Sequence, residues 1–131
     1  EDAQLTTAIV KGSGTILLVD DEQMILDVGR ELLEELGYTV LPAMSGQQAI
    51  EIFQKDPHKI DMIIMDMIMP GMSGSETFDR LKKIKPEVKI LLSSGYSVNG
   101  QATNILQRGC DDFIQKPFNM NQLAEKILKI I

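Results

Sequence analysis

Asp20, Asp21, Asp66, Ser94 and Lys116 are the side chains of this 131-residue chain whose types could carry chemistry together. Carboxylates gathered within a few ångströms repel one another, so a fold tolerates them only if some protonate or a cation sits between them. Hard oxygen donors select Mg²⁺, with Mn²⁺ as an alternative. A Mg²⁺ site with few protein ligands keeps waters that phosphate oxygens can replace, and carboxylates are ordinary nucleophiles for phosphoryl groups. A lysine offers those oxygens a point charge and a hydroxyl offers one of them a hydrogen bond. The set suits phosphoryl transfer.

These residues can cooperate only if the fold brings them to one place, and the pattern of elements predicts that it does. TILLV at Thr15 to Val19 is a short apolar, β-branched run of the kind that forms a strand buried on both faces. From Gln23 the period changes: Ile25, Val28, Leu32 and Leu36 mark the buried stripe of an amphipathic helix that Gly37 ends. Strands follow at Thr39 to Ala43, Ile60 to Met65, Lys89 to Ser93 and Asp112 to Gln115. The intervening helices run from Gly46 to Lys55, from Ser73 or Gly74 to Ile84, from Asn99 to Arg108 and from Asn119 to Ile130. Strict strand–helix alternation at short spacing requires right-handed crossovers and helices on both faces, hence an α/β, doubly wound, flavodoxin-like parallel sheet of five strands with five helices. Ligands of such sheets sit at the carboxyl ends of the strands. Asp20 and Asp21 follow the first strand, Asp66 the third, Ser93 and Ser94 the fourth and Lys116 the fifth, so all should share one rim.

Composition removes competing classes. A net charge of −6 argues against direct nucleic-acid binding or an anionic membrane surface, both of which need clustered Lys and Arg. The single cysteine, Cys110, permits no internal disulfide and no cysteine-based zinc site, which suits a cytoplasmic setting. No apolar run approaches the ~20 residues of a membrane-spanning helix.

Four blocks in order, LLVDDE, MDMIMPGMSG, LLSSGY and FIQKPF, resemble response-regulator receiver domains over roughly Gly14 to Ile131. The resemblance implies the strand order 2-1-3-4-5. It makes Asp66 the phosphorylation site, Asp21 a direct metal ligand, Asp20 an acidic partner acting largely through metal-bound water, and the main-chain carbonyl of Ile68 a further ligand. It also makes Ser94 the switch hydroxyl and Phe113 the switch aromatic, and it implies a cis Lys116–Pro117 bond. Ser94 is preferred to Ser93 because its spacing to Lys116 fits the family and strand alternation turns Ser93 the other way.

Taken singly, these residues have bland readings. Acids after a strand ordinarily cap the next helix, and an Asp before Pro70, Gly71 and Gly74 is ordinarily a turn residue. Only the four blocks together reverse that weighting. Met62, Met65, Met67, Met69 and Met72 read as adaptable packing rather than a soft copper(I) site. His58, in a loop, lacks the helical setting of a phosphodonor histidine.

The expectation is therefore a flexible linker or tail at 1–13 and a receiver domain at 14–131. The domain is not an enzyme in the turnover sense but assists its own phosphorylation and dephosphorylation. The expected partner is a sensor histidine kinase or a histidine phosphotransfer protein, either separate or fused in one chain, with self-association after phosphorylation as a further expectation. The polar lead before the first strand reads as an excerpt from a longer, hybrid-kinase-like protein. Met120, Leu123 and Ile127 should pack the last helix on the sheet, and Ile68 with Tyr96 implies slow autodephosphorylation. A haloacid-dehalogenase-like phosphatase and a degenerate, never phosphorylated module are the alternatives. The first usually needs a second Asp where Ile68 stands, and the second should have lost acids or lysine.

Overall fold

A computed structural model describes residues 12–95 and 100–131, with backbone alone at 100–102. The chain alternates β1 (Thr15–Val19), α1 (Gln23–Glu35), β2 (Thr39–Ala43), α2 (Gly46–Lys55), β3 (Met62–Asp66), α3 (Gly74–Ile84), β4 (Ile90–Ser94), α4 (Gly100–Gln107), β5 (Asp112–Gln115) and α5 (Met120–Ile130). The strands form one sheet in the order β2-β1-β3-β4-β5, and every pairing is parallel. The expected order and class are therefore observed.

Alternation along the strands divides the core in two. Leu17, Val19, Ile63, Met65 and Leu92 face Ala49, Phe53, Phe78 and Ile105 of α2, α3 and α4. Ile16, Leu18, Met62, Ile64 and Leu91 face Leu26 and Leu33 of α1 and Leu123 and Ile127 of α5. The methionines are split by this division, with Met62 on one side of the sheet and Met65, Met67 and Met69 on the other, so they form no single thioether cluster. Met120 packs at the edge of the second cluster beside Leu123 and Ile127, as the period of the last helix predicts.

Local signals explain the starts of the helices. Ser45, Ser73 and Asn119 each accept a bond from the backbone N–H three residues on, at 3.1, 3.1 and 2.8 Å, which satisfies a donor the helix leaves open. The strands β3 and β4 sit one to two residues later than the apolar runs suggested, because Asp66 and Ser94 complete the ladders with Ser93 and Gln115. Asn99, the expected start of the fourth helix, lies outside the described residues.

The buried stripe of α1 corrects the sequence reading. Leu26, Gly29 and Leu33 face inward, continued by Leu36, whereas Val28 is 48% and Met24 74% exposed. Gly29 hid the period: it carries no side chain, and a Cβ there would lie 2.9 Å from Leu18 Cδ2, so the helix approaches the sheet where hydrophobicity is lowest. Leu26→Ala should cost about 2–5 kcal/mol in urea unfolding, and Val28→Ala should fall within about 0.5 kcal/mol of the parent. Equal losses at the two positions would restore the other stripe.

No helix among the described residues is long and apolar enough to cross a membrane. His58 is exposed on the α2–β3 loop and Cys110 is buried.

Candidate functional site

The winding reverses between β1 and β3, and the acids gather at the carboxyl ends of those strands. Asp20 leaves β1 with its N–H on the Ala43 carbonyl at 3.1 Å. Its Oδ1 accepts from Glu22 N at 2.9 Å, while Oδ2 takes Lys116 Nζ at 2.8 Å. Asp66, the last residue of β3, is 5% exposed, and its Oδ1 lies 3.2 Å from the same ammonium. Carboxylate oxygens of Asp20, Asp21 and Asp66 all lie within 4.8 Å of one another.

Electrostatics follow from this crowding. Burial raises the Asp66 carboxyl from 3.8 to about 6, with Asp20 and Asp21 adding to the rise and Lys116 opposing it. Burial pulls the Lys116 ammonium down, yet Asp20 and Asp66 outweigh that and leave it raised. The lysine therefore stays charged, while the acids retain repulsion that one cation does not remove. Oxygen-only donors at this spacing fit a hard divalent ion, and Asp20, Asp21 and Asp66 are the side chains that would hold Mg²⁺.

A cleft of about 560 Å³ opens over the acids, lined by Asp21, Asp66, Ile68, Ser94 and Lys116 among others. Ser94 and not Ser93 lines it, although both are buried, as alternation along β4 requires. Lys116 N donates to the Ser94 carbonyl at 2.7 Å, which ties the hydroxyl-bearing strand end to the lysine, and the Lys116–Pro117 bond is cis. Phe113 is half-buried, opposite Leu92 and against the first core cluster. Asp20, Asp21, Asp66, Ile68, Ser94 and Lys116 thus gather at one rim, while Phe113 lies within β5, two residues before its end.

Several residues that shape the site escaped the sequence reading. Ile25, assigned there to the buried stripe, lines the cleft together with Pro117. The loop after Asp66 is braced by Met67 N on the Ser93 carbonyl (2.9 Å), Gly74 N on the Met67 carbonyl (3.1 Å) and Thr77 Oγ1 on the Ser73 carbonyl (2.8 Å). Thr77 is fully buried, and a Cβ on Gly46 would lie 2.1 Å from its hydroxyl, so the start of α2 also bears on this loop. A threonine off the apolar stripe and two glycines gave no distinctive pattern along the chain.

A doubly wound sheet of this order, with acids at its switch point, is of the flavodoxin-like class. Within it the chain belongs to the response regulator receiver domain family of two-component signalling, whose family model matches residues 16–128. It is 34% identical over 122 residues, 93% of its length, to the sensor kinase CckA of Brucella abortus, of which it covers 13%. It is also 34% identical over 116 residues, 88% of its length, to the transcriptional regulatory protein YvrH of Bacillus subtilis, of which it covers 48%. Among solved structures, a response regulator receiver domain protein from Clostridium thermocellum superposes with a TM-score of 0.86 at 32% identity, covering 90% of this chain and 94% of that one. The response regulator TrrA from Thermotoga maritima, in complex with Mg²⁺ and BeF, gives 0.80 at 34% identity, covering 90% and 99%. The chain thus spans half or less of these curated relatives and nearly all of the solved receiver domains.

Proposed function

We propose that this domain accepts a phosphoryl group from a phosphohistidine onto Asp66 in a Mg²⁺-dependent reaction and relays it as a change of conformation. The observation that carries the reading is the Asp66 carboxylate itself, buried at a strand end, 3.2 Å from Lys116 Nζ and within 4.8 Å of the Asp20 and Asp21 carboxylates. The bond from imidazole nitrogen to phosphorus breaks, a bond from an Asp66 oxygen to phosphorus forms, and the imidazole takes up a proton. Bound Mg²⁺ supplies positive charge that lets an anionic phosphoryl group approach the carboxylate.

Lys116 is placed to stay with the phosphoryl oxygens, and Ser94 to give one of them a hydrogen bond. Both Asp20 oxygens already accept bonds, from Glu22 N and Lys116, which supports an indirect role for Asp20 and leaves Asp21, Asp66 and the Ile68 carbonyl as direct ligands. Phe113, half-buried beside Leu92, is the aromatic that would follow Ser94 in the switch. The donor is a sensor histidine kinase or a histidine phosphotransfer protein, with a cytoplasmic setting and self-association on phosphorylation as parts of the same reading. A hybrid-kinase origin is favoured by the CckA similarity. The phosphatase alternative is disfavoured because Ile68, 50% exposed on the cleft, replaces the second acid. The degenerate alternative is disfavoured because acids and lysine are all in place.

Incubation with Mg²⁺ and phosphoramidate should add the mass of one phosphoryl group, and borohydride trapping should place it on Asp66. No added mass, or a label elsewhere, would overturn the proposal. Once the donor is removed the adduct should persist for minutes or longer, because Ile68 cannot orient a water as a polar side chain could; decay within seconds would remove that part. Tyr96, the second expected contributor, lies outside the described residues.

A further inference from the structure

We propose that residues 12–14 are a latch that fixes the path by which the chain approaches β1 and ties it to the C-terminal end of α1. Gly12 N donates to the Leu36 carbonyl at 2.9 Å, so the approaching backbone satisfies an acceptor left open at the end of that helix. Thr39 N donates to the Gly14 carbonyl at 2.8 Å and Thr15 N to Asp61 Oδ2 at 2.7 Å. The segment is thereby held to the α1–β2 corner on one side and to the start of β3 on the other.

The fit is close enough to demand glycine at three places. A Cβ on Gly12 would lie 2.2 Å from Tyr38 Oη, and one on Gly37 would lie 2.3 Å from the Gly12 carbonyl oxygen. Gly14 adopts φ +133°, and its Cβ would lie 2.9 Å from the Asp61 carboxylate. A loose tether needs no such approach. Tyr38 is 4% exposed, its Oη has no hydrogen-bond partner among the described residues, and burial raises its phenol. Gly12 therefore covers the polar end of a ring that would otherwise find water.

Two consequences follow. The contacts that hold this corner of the domain include Gly12 as well as Gly14. Residues 12–14 also bear on one end of α1, whose other end starts next to Asp20 and Asp21, about 20 Å away at 1.5 Å per residue. Displacement of the preceding segment would then load α1 instead of being absorbed by a flexible joint.

Hydrogen exchange and phenolate absorbance on the full chain test this, in a Tyr96→Phe background that leaves Tyr38 as the single tyrosine. The Gly12 amide should be protected and Tyr38 should titrate above the usual value of about 10. In Gly12→Ala, protection at residue 12 should vanish, Tyr38 should titrate near its ordinary value, and amides 36–38 should exchange roughly tenfold faster. An unprotected Gly12 amide or an ordinary Tyr38 titration in the parent overturns the latch whether or not the variant folds. So does a Gly12→Ala protein that keeps both features.

Discussion

Asp66→Asn should abolish Mg²⁺-dependent phosphoryl uptake and, in the absence of metal, make the domain more stable at pH 7 by roughly 3 kcal/mol. The loss of uptake follows from removing the attacking oxygen. The gain follows from the raised carboxyl. With its value lifted from 3.8 to about 6, Asp66 holds its proton more tightly in the folded state than in the unfolded chain. Below about pH 3.8 both states carry the proton and there is no penalty; the penalty grows as pH rises through this window and is complete above about 6. An uncharged amide escapes it, while Lys116 keeps its 2.8 Å partner Asp20. Parent stability in EDTA should therefore fall between about pH 4 and 6, and the Asn variant should lack that component. Mg²⁺ should stabilise the parent by mass action and the variant far less. Urea titrations across this pH range, with and without Mg²⁺, measure all of these. Identical pH profiles for the two proteins would show that Asp66 carries no such burden.

The same residue shows why the site was legible along the chain and its tuning was not. ILLV and MIIM are buried because they are unbroken apolar runs, and acids that end such runs must lie on the rim of a parallel sheet. Which oxygen meets which cation depends on side-chain geometry that no spacing encodes. Lys116 is nearer to Asp20 than to Asp66, a preference visible only once β5 lies beside β4. The helix α1 failed for a related reason. Two stripes of similar period run along it, and the buried one passes through Gly29, which contributes closeness instead of hydrophobicity. The difference bears on function, since Ile25, which the apolar period places in the core, is a wall of the cleft.

Gly74→Ala should be among the most damaging single-methyl additions in the domain, although alanine is the better helix former by about 1 kcal/mol. Its backbone is not in the left-handed region, so conformational strain is not the cause. A Cβ would lie 2.4 Å from the Met67 carbonyl oxygen and 2.9 Å from the Met67 Cα, both backbone atoms that no rotamer change can move. The same carbonyl accepts the Gly74 N–H at 3.1 Å, so the helix start and the loop must separate together. The expected loss is about 3 kcal/mol, at the upper end of overpacking costs. Because Met67 lies between Asp66 and Ile68, phosphoryl uptake should slow even where the protein remains folded. Gly71→Ala is the contrasting change, since φ +78° strains an alanine but its Cβ meets nothing within 4 Å, and a cost of about 1–2 kcal/mol is expected. If urea unfolding ranked Gly71→Ala as the more damaging, or Gly74→Ala kept the parental rate of uptake, the loop would not be held in register by the approach of α3 to Met67.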